Sequence, residues 1–114
     1  MRILVLETNL MWTSRLRQSL SGLGHEPVVS ASVPTEHFDA AIVNLGEEPL
    51  RAQVPQLVNA GVWVIAHAGH KEKQLHQIGK DLGCHRLATN SEITFKLEQL
   101  LNEVAGTKIE EGSS

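Results

Sequence analysis

The chain has 114 residues, 41% of them hydrophobic, which is one domain's length with enough apolar content to bury a core without disulfides or metals. Ten Lys and Arg against thirteen Asp and Glu give a net charge of −3, and no basic cluster exceeds a few residues, so the electrostatic footprint of a nucleic-acid binder is missing. The lone Cys84 excludes an internal disulfide, no apolar run approaches membrane length and no signal region opens the chain, so a cytoplasmic location is expected.

The first expected element is the strand Ile3-Leu4-Val5-Leu6, an unbroken apolar run suited to the middle of a parallel sheet. It ends in Glu7-Thr8-Asn9, and in open α/β sheets sites gather beyond the carboxyl ends of such strands. Thr8 or Asn9 can cap a helix whose stripe is Trp12, Leu16, Leu20 and Leu23 and which Gly24 closes. Pro27-Val28-Val29 reads as a short second strand. Only Ser30 to His37 separate it from the strand Phe38 to Val43, too few residues for a helical crossover, so the second helix is expected to be shortened or absent.

After Asn44-Leu45-Gly46 comes a helical stripe of Leu50, Val54 and Leu57, interrupted by Pro55. Proline suits a first turn, so either the helix begins near Gln53 or a helix starting at Pro49 is kinked. Val62 to Ala66 is the fourth strand and brings His67 to the edge that holds Glu7 and Asn44. Lys71 to Leu82 is a helix stopped by Gly83, and His85 to Thr89 is the fifth strand. Asn90 or Ser91 caps the last helix, with Ile93, Leu97, Leu100, Leu101 and Val104 inward, and residues 106–114 are expected to form a disordered tail behind a domain over 1–105. Strands alternating with helices around a leading central strand predict a flavodoxin-like α/β fold, a five-stranded parallel sheet of order 2-1-3-4-5 with helices on both faces.

Ile3-Leu4-Val5-Leu6 running into Glu7-Thr8-Asn9, Leu16 and Leu20 before Gly24, Phe38-Asp39 opening the third strand and Gly83-Cys84 before the fifth stand in a characteristic order. From Met1 to about Val104 the chain resembles a receiver domain of the bacterial response-regulator family. The resemblance implies an acidic pair after strand one, a phosphorylated aspartate ending strand three, Thr or Ser ending strand four, and lysine then proline after strand five. Those positions hold Glu7 and Thr8, Asn44, His67, and Asn90 then Ser91, so only Glu7 keeps the implied chemistry.

The replacements have a direct chemical meaning. Phosphoryl transfer to a side chain needs a nucleophilic oxygen, a cation on the transferred group and a metal held by carboxylates. Asn44 supplies no nucleophile, Asn90 no cation, and one glutamate beside neutral side chains holds magnesium weakly. The expectation is a degenerate, pseudo-receiver type of domain: no enzyme, no cofactor, no metal, acting as a protein-interaction module in signal transduction or transcriptional regulation. The alternative is a flavodoxin-like protein binding a small molecule or metal through Glu7, Asn44, His67 and His70, with His76 as a further candidate ligand.

His67 itself has two readings, a pH-sensitive partner of Glu7 across the cleft or a hydrogen-bonded side chain filling the vacated site. Cys84 reads as a packed thiol and Trp12 and Trp63 as core. Phe95 falls off the inward stripe of the last helix. Receivers similar to this chain pair through the face made by the helix over 71–82, the fifth strand and the last helix, so Phe95 is a candidate anchor for a protein partner or a homodimer.

Overall fold

The computed structural model describes the backbone of residues 1–113 and the side chains of residues 1–106. Five strands, β1 (Arg2–Leu6), β2 (Glu26–Ser30), β3 (Ala40–Asn44), β4 (Trp63–Ala68) and β5 (Arg86–Thr89), form one parallel sheet in the order β2-β1-β3-β4-β5. This is the expected flavodoxin-like arrangement. Strand alternation sends Ile3 and Val5 to one face and Leu4 and Leu6 to the other, so β1 is apolar on both sides and buried from Ile3 to Leu6.

Helix α1 (Leu10–Gly22) covers the first face with Leu16 and Leu20, beside the C-terminal helices α5 (Asn90–Phe95) and α6 (Leu97–Ser113) with Ile93, Leu97, Leu100, Leu101 and Val104. The opposite face is covered by α2 (Glu48–Arg51) and α3 (Val54–Asn59) through Leu50, Val54 and Leu57. Helix α4 (Lys73–Asp81) lies on Leu45, Ala66, Ala68 and Leu87 through Leu75. Each fully buried Leu or Ile in these layers contributes about 1.5–3 kcal/mol relative to exposure. The sheet approaches α4 so closely at Gly79 that an added Cβ would stand 2.7 Å from a Leu87 methyl and 2.9 Å from a Leu45 methyl.

Between β2 and β3 the chain has no helix, as the short connection requires. The Gln53 side chain pins this link, accepting from the Val33 N–H at 2.9 Å and donating to the Ala31 carbonyl at 3.0 Å. Gln53 reaches both because the expected single helix around Pro55 is two short ones. Pro49 and Pro55 each occupy a first turn and the chain breaks between them, which leaves neither proline beyond the first turn of its helix.

Two expectations need correction at the carboxyl end of the sheet and beyond. The fourth strand runs on to Ala68, so His67 is a ladder residue in register with Asn44. The last helix is broken at Lys96, with φ −126°, and its cap is Thr89: the Thr89 hydroxyl accepts from the Glu92 N–H while the Glu92 carboxylate accepts from the Thr89 N–H. Helix α6 runs past Gly106 to Ser113. A single glycine costs a helix only about 1 kcal/mol, and Lys108, Glu110 and Glu111 are good helix formers. Side chains from Thr107 onward and all of Ser114 lie outside the described residues, and the disorder expected of 106–114 falls largely on them.

Candidate functional site

Three strand ends and one helix start deliver four of the five residues that sequence reasoning placed at the cleft, Glu7, Asn44, His67 and Asn90. Glu7 follows β1 and still donates its N–H to Ser30 of β2, which holds its side chain at the sheet edge, 3% exposed. Its carboxylate is met by three N–H donors. Thr8 and Asn9 donate their backbone N–H to Oε2 at 2.9 and 3.2 Å, and the Asn44 amide donates to Oε1 at 3.0 Å. Asn44 Oδ1 in turn accepts from the Gly46 N–H at 2.9 Å, so the amide bridges a buried anion to the turn after β3. A buried carboxylate is costly without partners, and here neutral donors supply them.

On the next strand His67 is 1% exposed and points toward α1 and α5. Its Nδ1 lies 2.7 Å from Asn90 Oδ1, so the ring donates there, and the Trp12 indole packs on it with centroids 4.9 Å apart. Burial holds His67 below the ordinary imidazole range, while the Asn90 hydrogen bond and the Glu7 charge pull the other way. Desolvation is the largest effect, so the ring is neutral at pH 7. His67 is thus a buried ring held by a hydrogen bond to Asn90 and by packing on Trp12. Asn90 provides that partner from the first position of α5.

Thr8 does not join this group. Its hydroxyl donates to the Glu47 carboxylate, 2.7 Å from either oxygen, at the exposed mouth of the cleft. Sequence reasoning missed Glu47, since nothing local links it to a residue 39 positions earlier. Trp12, read as core, is only half-buried and forms the wall between His67 and solvent, with the Arg15 guanidinium over its outer face at 5.5 Å. Arg15 also reaches Thr94 of α5 at 3.4 Å, which ties α1 to the segment ending in Phe95.

The remaining candidates are dispersed. His70 is exposed and His76 Nε2 lies 3.1 Å from the Gly69 carbonyl oxygen, so neither turns toward His67. Among the described residues, no three His, Cys, Asp or Glu side chains converge on a point that could hold a metal. Cys84 is half-buried against both Leu82 and Leu75 clusters, and burial pushes its thiol up to about 11. Trp63 stacks on His85 at 4.7 Å, away from the cleft. Phe95 is 81% exposed at the end of α5, the most exposed aromatic ring of the described residues.

Against this geometry, solved structures were found that share the fold. A putative response regulator from Chloroflexus aurantiacus superposes with a TM-score of 0.79 at 12% identity, over 90% of this chain and 95% of its own. The signal receiver domain of a modulated diguanylate cyclase from Desulfovibrio desulfuricans gives 0.79 at 16% identity, over 96% and 97%. The receiver domain of a sensor histidine kinase from Pseudomonas aeruginosa, which has a magnesium ion coordinated in its active-site cleft, gives 0.76 at 15%, over 92% and 97%. No family model and no curated protein matches the sequence. These neighbours are receiver domains, and at such identities the likeness establishes the fold that they share with this chain.

Proposed function

We propose that the chain is a receiver-like signalling domain that works without phosphorylation, as a protein-interaction module and not as an enzyme. The observation that carries this reading is the set of partners at the strand ends. Glu7 is engaged by Thr8, Asn9 and Asn44, and His67 by Asn90 and Trp12, so the polar groups of the cleft are paired with one another. Where the histidine kinase receiver holds magnesium in its cleft, this chain has one carboxylate bonded to an amide.

A side-chain amide has no nucleophilic oxygen, and no cation stands at Asn90 to balance a transferred phosphoryl group. Regulation then has to come through surface contacts in place of a covalent change at Asn44. The contact surface is the face of α4, β5 and α5 that ends at Phe95, whose exposed ring fits an aromatic anchor for a partner or for a second copy of the chain. The setting proposed for such a module is the cytoplasm.

Sedimentation velocity on wild type and Phe95→Ala, each with and without magnesium and acetyl phosphate, tests both parts. The expected result is self-association in wild type, its loss in Phe95→Ala, and no response of either to the phosphodonor. Self-association that appears only with acetyl phosphate contradicts phosphorylation independence, and a monomeric wild type removes the homodimer.

A further inference from the structure

We propose that the groove between α2 and the first turn of α4 binds a small organic anion, a phosphate- or carboxylate-bearing molecule with an apolar part. The groove has a volume of about 530 Å³, within the range of small-molecule sites, and lies outside the cleft formed by Glu7, Asn44 and His67. It stands independently of the function proposed above.

Charge is the first reason. Arg51 from α2, Lys71 from the turn before α4 and Lys73 from its first position line the groove together, three cations in one groove of a chain whose net charge is −3. Among the described residues none of the three is in an ion pair. The lone carboxylate of the lining, Glu72, turns back to accept from the Gly69 N–H at 3.2 Å. Arg51 is also oriented: one guanidinium nitrogen donates to the Leu45 carbonyl at 3.1 Å, which fixes the plane in which the other N–H groups meet an oxyanion.

The backbone adds to this field. No side chain caps α4, so the first-turn N–H groups of Lys73 and Gln74 lack helical acceptors and lie at the positive end of a nine-residue helix. Chemistry of the floor gives the second half of the ligand. Leu75 and Ile78 line the same groove and are half-buried, an apolar surface beside the cations of its lining. Inorganic phosphate would use only the rim, whereas an anion with an apolar group would use both.

Phenyl phosphate, benzoate, inorganic phosphate and phenol serve as probes in an amide NMR titration of the full chain. Saturable shifts are expected at Lys73, Gln74, Leu75 and Ile78 with phenyl phosphate or benzoate, the stronger of the two identifying the headgroup. Affinity should exceed that for inorganic phosphate by about tenfold, and Lys71→Ala with Lys73→Ala should weaken it about tenfold more. Both lysines are exposed, so the double variant keeps the wild-type fold, and Lys71→Arg with Lys73→Arg should retain binding. No saturable shift up to about 10 mM, equal affinity for inorganic phosphate, or equal binding by the double alanine variant would overturn the proposal.

Discussion

Replacing Asn44 by aspartate would put a second carboxylate where an amide now donates to Glu7 Oε1 at 3.0 Å. Two unit charges at that distance repel by roughly 5 kcal/mol at an effective dielectric near 20. Keeping one carboxyl protonated at pH 7, against a reference value near 3.9, costs about 4 kcal/mol. The smaller figure wins, so the pair takes up a proton and shares it across the short contact. Asn44→Asp should therefore lose about 4 kcal/mol at pH 7 and only about 1.5 kcal/mol at pH 5. The sign follows from a folded-state carboxyl that is raised: its stability is complete below the unfolded value and is lost as pH rises. Urea unfolding of wild type and variant between pH 5 and 8 measures the difference, and millimolar magnesium should recover part of it at pH 7, because a cation replaces the proton. A difference that is flat with pH, or a variant as stable as wild type at pH 7 without divalent ions, would refute this electrostatic reading of the cleft.

Burial lowers the titration of His67, His25 and His85, so the unfolded chain takes up protons first and wild-type stability should fall as pH drops below about 6.5. Urea midpoints at pH 7.5 and 5.5 check this, and His67→Gln should flatten part of the slope. Gly79→Ala should destabilise by about 1–3 kcal/mol in the same assay, because the new Cβ meets methyls of Leu87 and Leu45 under 3 Å away. The Cys84 thiol, pushed up to about 11, should react slowly with iodoacetamide at pH 7.4 in the native chain and rapidly in urea.

The sheet was legible because its signals are local. Apolar runs such as Ile3 to Leu6 and Val62 to Ala66, separated by helical stripes, leave few topologies open, and the short link after β2 already excluded a full helix. His67 was placed one step too far, although it continues the alternation of Trp63 and Ile65 toward the same face. The Thr89 cap was also readable, since Thr89-Asn90-Ser91-Glu92 carries the spacing of a capping box. Other features have no local signal. Lys96 interrupts a segment without Pro or Gly, and the Gln53 clamp and the Thr8–Glu47 contact join residues at least 20 positions apart. At the cleft, residue types carried only an expectation about chemistry, and only the fold shows that Asn90 and Trp12 engage His67.

Absence of phosphorylation is most directly tested by intact mass spectrometry after incubation with magnesium and acetyl phosphate. Wild type should gain no phosphoryl group. Asn44→Asp should remain poorly modified, because it gains a carboxylate nucleophile while the neighbouring Asn90 and His67 supply neither a cation nor a hydroxyl. A phosphoryl adduct on the wild-type chain that hydroxylamine removes would contradict the reading and direct attention to Glu7 as the acceptor.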